Sequence, residues 1–167
     1  MKAKTVKFSR VVMAHTMLPQ DANPAGIVHG GVVMKHIDEA AGVVAVRHAG
    51  SNVVTASIDR LDFHNPIFIG NLLTAKACLN LVGKSSMEIG VRVEAEDLIS
   101  GQIKHTASAY LTFVALDKNF RPQAIAPLEI ITAEEKRRNA EAQIRRQARL
   151  SQKSKAKDCE SRVDGCH

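Results

Sequence analysis

Residues 21–42 read DANPAGIVHGGVVMKHIDEAAG and carry a carboxylate, Asp38, among apolar and small neighbours. Asp38 follows Met34 by four positions and precedes Ala41 by three, so on a helix it shares their face. Glu39, one step round, points elsewhere and reads as solvent-facing. A carboxylate so placed is either a paired or surface charge or a group kept for acid, base or nucleophilic work, and the pattern alone favours neither. Gly30-Gly31 lies at the expected helix start, where exposed backbone N–H groups and partial positive charge suit a polarised carbonyl or an oxyanion. The plainer reading is a Gly-containing turn. Asn23 either orients a water or substrate oxygen, or forms an Asx-turn before Pro24.

Other chemistry is less well supported. Seven histidines raise the question of a metal, but there is no HExxH and no Cys-His ligand set, so no catalytic metal and no cofactor are expected. No serine sits in a nucleophile elbow. His29, beside the glycines, is a candidate to line a site, whereas His36, His48 and His105 read as structural or surface groups. Three scattered cysteines, Cys78, Cys159 and Cys166, form no disulfide framework and suit a reducing compartment. Cys78 reads as a small core or interface residue.

The elements that would position these groups follow from periodicity. Residues 9–14 form a short strand candidate, residues 19–26 a loop, and residues 31–49 a helix with an apolar stripe. Four strand-like segments follow, at 53–63, 72–82, 86–97 and 103–116. In the third, Met87, Ile89, Val91, Val93 and Ala95 alternate with Glu88, Arg92, Glu94 and Glu96. Short turns between the later strands imply antiparallel neighbours. The expectation is an α+β fold, one antiparallel sheet wrapped around one long central helix. One helix leaves such a sheet incompletely closed, so dimerisation is expected.

The chain has 167 residues, 45% hydrophobic and 24% charged, with a net charge of +6. Residues 133–167 hold +4 of that charge, and the rest of the chain is nearly balanced. Nucleic-acid binding is therefore not required to explain the basic balance. No apolar run reaches transmembrane length, and the N-terminus lacks the apolar core of a secretory signal. The expected division is 1–132 as the folded domain and 133–167 as a basic helix, 132–150, followed by a disordered tail. The charge run reads as a solvated extension, with weak contact to anionic surfaces as the alternative.

The opening stretch resembles the hotdog-fold acyl-CoA thioesterases, the group with bacterial YciA-type and cytosolic brain-type acyl-CoA hydrolases. TASIDRLDFHNPIFIGN, residues 55–71, and VGKSSMEI, residues 82–89, are similar to that family's second and third blocks. The resemblance covers about 8–128 and implies the hotdog fold, a dimer and commonly a trimer of dimers. It implies hydrolysis of acyl-CoA to free acid and CoA in the cytoplasm, at a dimer-interface site. Asp38 matches the catalytic aspartate, as base or nucleophile, and Asn23 the asparagine from the facing protomer. Gly30 and Gly31 would polarise the carbonyl. Lys84, Ser85 and Ser86 match the segment that reaches CoA; lysine keeps the charge but lacks the bidentate fork of arginine. Arg60, His64 and Arg121 are further candidates for the substrate, with surface roles as the alternative. Rival readings are a dehydratase, a thioesterase for another acyl carrier, or a non-catalytic acyl-CoA sensor.

Overall fold

The computed structural model describes residues 1–160, with side chains through residue 152. In chain order the elements are β1 (Lys4–Thr5), α1 (Val6–Ser9), β2 (Val11–Thr16), a 3-10 turn (Pro19–Asp21) and α2 (Gly30–Ala49). Then come β3 (Asn52–Phe63), β4 (Leu72–Val82), β5 (Ser86–Glu96), β6 (Ile103–Leu116), β7 (Leu128–Glu129) and α3 (Ala133–Glu160). Five strands form one antiparallel sheet in the order β2-β4-β5-β6-β3. The short β1 and β7 pair in parallel apart from it.

The 20-residue helix α2 is the centre of the molecule. Its stripe of Val33, Ile37, Ala40, Ala41, Val44 and Ala45 is buried against the sheet. The facing strands supply small side chains as well as large ones, Ala75, Ala77, Ala107 and Ala109 beside Leu73, Ile89 and Leu111, so helix and sheet approach closely. Register shifts in β3, β4 and β6 add local bends, which help a flat ladder curl around a cylinder. The helix is capped at its start by His29, whose Nδ1 accepts from Gly31 N–H at 2.9 Å. It ends at Gly50, whose φ of +67° is easy only for glycine. His48 is buried at its C-terminal end, with Nε2 2.8 Å from the Ala126 carbonyl oxygen. It is structural, in agreement with the sequence.

The alternation in β5 holds on the inner face, where Met87, Ile89, Val91, Val93 and Ala95 are buried. Its outer face is covered in part. Glu88 is 3% exposed, because α3 lies across it. Thr132 and Glu135 cap that helix reciprocally: Thr132 Oγ1 accepts from Glu135 N–H, and Glu135 Oε2 from Thr132 N–H. Ala142, on the helix's sheet-facing side, is fully buried, and Asn139 Nδ2 donates to the Asn80 carbonyl at 2.7 Å. Arg145 grips Glu88 at 2.7 Å and stacks on the Tyr110 ring at 3.7 Å. Arg149 pairs with Asp59 and also donates to Thr112 Oγ1 at 2.6 Å. From 133 to 149 the basic segment is therefore docked on the sheet rather than a solvated extension, with Arg145 and Arg149 meeting carboxylates and a ring there.

Further corrections concern boundaries. The first sheet strand is Val11–Thr16 rather than 9–14, because residues 6–9 form a helical turn with Val6 and Ser9 buried. Helix α3 continues ten residues beyond 150, through a Lys- and Ala-containing stretch without Pro or Gly that extends an already anchored helix. The expected disorder of 161–167 lies outside the described residues. No described helix is long and apolar enough to cross a membrane.

Candidate active site

The loop before α2 is built to hold Asn23 in place. Asn23 Oδ1 accepts from Ala25 N–H at 2.9 Å and Ile27 N–H at 3.3 Å, the Asx-type turn anticipated from Pro24. Asn23 N–H donates to the Ile27 carbonyl, and Gly26 takes a positive φ of 77° to close the turn. His29 N–H reaches back to the Asp21 carbonyl and Val28 N–H to that of Ile67. With Oδ1 committed to the loop, the Asn23 side chain has its Nδ2 donors left, and these have no partner among the described residues.

Asn23, Gly30, Val33, Phe63, His64 and Ile67 line an open cleft of about 350 Å³. His64 leans on His105, ring centroids 4.7 Å apart. Gly31 takes no part through its N–H, which His29 already engages, so of the two glycines it is Gly30 whose amide remains at the cleft. His29 is exposed at the rim, serving as the cap of α2.

Asp38 lies two turns further along α2 and does not line this cleft. It is half-buried, and Thr55 Oγ1 on β3 donates to its Oδ1 at 2.7 Å. No cation pairs with it among the described residues. Thr55 was not singled out in the sequence, although it opens the second block; its contact with Asp38 crosses two elements and leaves no local signal.

The remaining candidates lie apart. The β4–β5 turn is closed by Gly83 N–H donating to the Ser86 carbonyl at 2.7 Å. The carbonyls of Lys84 and Ser85 accept from Ile125 and Ala115, while the Lys84 side chain is exposed beside a separate groove with Ala124 and Pro127. Arg60 pairs with Asp62 at 2.5 Å and borders a third groove, with Tyr110, Arg145 and Arg149. Arg121 is exposed, its backbone bonded to Asp117. One chain thus brings Asn23, Gly30 and His64 together and leaves Asp38, Arg60 and Lys84 elsewhere. Cys78 is partly covered by α3, and burial pushes its thiol up, away from the nucleophilic thiolate.

Known proteins share this architecture. The sequence pattern of the Thioesterase superfamily matches residues 25–101. Over 143 residues the chain is 38% identical to a Mus musculus protein named cytosolic acyl coenzyme A thioester hydrolase, a match covering 84% of this chain. The chain spans only 38% of that relative's length. A crystal structure of an apo-hexameric acyl-CoA thioesterase superimposes with a TM-score of 0.88 at 36% identity, covering 91% of this chain and 97% of the other. An acyl-CoA hydrolase from Staphylococcus aureus, solved with butyryl coenzyme A, coenzyme A and coenzyme A disulfide, gives a TM-score of 0.89 at 32% identity. There the match covers 98% of this chain and 99% of the other. That hydrolase is also known as single alanine variants of an asparagine, an aspartate 15 residues later, and a threonine 17 residues later again. By sequence and by fold, the chain belongs to the thioesterase superfamily and has its hotdog architecture.

Proposed function

We propose that this protein hydrolyses the thioester of acyl-CoA to a free carboxylic acid and CoA, at a site completed by a second copy of the chain. The observation that carries this reading is Asp38, a half-buried carboxylate on the central helix held by the Thr55 hydroxyl at 2.7 Å and without a cation among the described residues. Asn23, Asp38 and Thr55 repeat the spacing of the three positions replaced by alanine in the Staphylococcus aureus hydrolase. Within one chain Asn23 and Asp38 do not share a cleft, which favours a site in which Asn23 serves the facing protomer's helix. The open edge of β3, with Val54 and Ile58 exposed, is the surface such a pairing would cover. A dimer, and beyond it a trimer of dimers, is supported by the hexameric state of one relative.

The thioester carbonyl sits near Gly30 N–H at the positive end of α2, and Asn23 Nδ2 orients the carbonyl or the attacking water. Asp38 acts as base or as nucleophile. As base, it takes a proton from water, whose oxygen bonds to the acyl carbon while the C–S bond breaks and CoA leaves as thiolate. As nucleophile, its oxygen bonds to the acyl carbon while the C–S bond breaks and CoA leaves as thiolate, and water then cleaves the resulting acyl anhydride to free acid and the restored carboxylate. Thiolate is a good leaving group, so no strong general acid is needed, and water is the only co-reactant. Lys84, Ser85 and Ser86 hold the phosphates of CoA, and Arg60, His29 and His64 border the substrate path. The name of the murine relative supports a cytoplasmic setting.

A thiol-release assay with purified protein across acyl chain lengths tests the reading. Turnover is expected with acyl-CoA, and Asp38→Ala should abolish it while the chain stays folded. Binding of acyl-CoA without thiol release would replace the enzyme by a sensor. Release only from acyl carrier protein would redirect the substrate class.

A further inference from the structure

Three side chains that the proposed hydrolysis does not use converge where the edge strand β2 meets α2. His15 comes from β2, and His36 and Glu39 come from α2, three positions apart on one helix face. One donor atom from each lies within 4.8 Å of the other two. The two imidazoles stack, with centroids 4.2 Å apart and planes 25° from parallel. Nε2 of His15 and Nδ1 of His36 are shielded from water and make no hydrogen bond among the described residues. His36 Nδ1 is 3.2 Å from Glu39 Oε2, but off the line of a hydrogen bond.

Buried polar nitrogens are normally satisfied, and two left open beside a carboxylate call for a partner. A cation supplies one for all three groups at once. Two imidazoles and a carboxylate suit a borderline transition ion, whereas Mg²⁺ and Ca²⁺ prefer oxygen-only sets. Imidazole ligates in its neutral form.

We propose that His15, His36 and Glu39 bind one divalent ion of the Zn²⁺ class, which staples β2 to α2. Ligation at about 2.1 Å requires the donors to draw in to about 3.3 Å from one another, a movement within reach of side-chain rotation. Lys35, 3.8 Å from Glu39 Oε1 and largely exposed, swings into water. A water takes the fourth position. The staple adds to the packing of Val11 and Met13 on the core in a strand that, among the described residues, pairs with β4 alone. It is independent of the hydrolysis: Asp38 lies between two of the ligands in sequence but is held by Thr55 on β3. A search of the sequence for ligand spacing passes over it, because His36 stands 21 positions after His15.

The test uses the full chain without a histidine tag, stripped with EDTA and titrated with ZnCl₂ in a calorimeter and by thermal unfolding. One equivalent is expected, with a rise in the unfolding midpoint of about 3 °C or more at saturation. His15→Gln and His36→Gln, checked by circular dichroism, should lose both signals. Glu39→Gln, on a partly exposed side chain, should weaken binding at least about 10-fold and stays informative if the histidine variants unfold. Cys159→Ser combined with Cys166→Ser should keep both signals, which separates this site from thiols near the C-terminus. No uptake by the wild type overturns the proposal. So does a signal that survives the histidine and glutamate substitutions, or one reproduced equally by MgCl₂.

Discussion

Two sets of carboxylates lie against this sheet, and they are treated differently. On the outer face, Glu88 and Asp59 are covered by α3 and each is met by an arginine, Arg145 or Arg149. On the inner side, Asp38 is met among the described residues by a single hydroxyl, that of Thr55. A carboxylate neutralised by a fixed cation loses proton affinity and reach, while one held by a lone hydroxyl keeps its charge available to a substrate. The contrast separates charges that hold the fold from the charge proposed to act.

That contrast can be broken by experiment. The largest effect is expected at the acting charge: Asp38→Asn should lower kcat about 1,000-fold with little change in unfolding midpoint. Equal losses of activity and stability would place Asp38 with the structural set. Next, Arg145→Ala leaves Glu88, 2% exposed in its side chain, without its cation. This should cost about 3 kcal/mol in denaturant unfolding, with thiol release per folded molecule nearly unchanged. Adding Glu88→Gln should recover part of the loss; no recovery would mean the pair is not the cause. Smaller still, Thr55→Val removes the one hydroxyl on Asp38 and should lower kcat about 10-fold while leaving the midpoint in place. The smallest effect is in pH. Burial, with a minor push from Lys4, holds His48 below its usual value of 6.5. The unfolded chain therefore binds more protons, and stability present above pH 6.5 is lost as the pH falls towards the folded value. Urea midpoints at pH 7 and pH 5.5 measure this, and His48→Gln should flatten the difference.

Much of this was legible in the sequence where periodicity and burial coincide. β4 and β6 fall on their anticipated boundaries, and α2 differs by one residue, because each carries a regular apolar pattern closed by turn residues. Position 38 stood out because a charge broke such a pattern. What escaped were contacts between distant segments and contacts made by charge. Thr55 carries no mark of its own until α2 is laid beside β3. The docking of α3 was missed because an apolar stripe is the usual sign of a covered helix, and this one attaches through arginines, an asparagine and one buried alanine. The register of β2 was displaced by the helical turn at residues 6–9, too short to show a period. The pairing of β1 with β7 joins the two ends of the fold and has no local signature.

The arginine-bearing cover of the sheet has a consequence for how the protein is made. All five strands have been synthesised by residue 116, whereas Arg145 and Arg149 are synthesised later. In that interval the ribosome presents a sheet whose outer side waits for its helix. Were that side lined with leucine and valine, it would be an adhesive surface for other nascent chains. Because it displays Glu88 and Asp59 instead, water serves as the interim partner, and the helix replaces that water when it arrives.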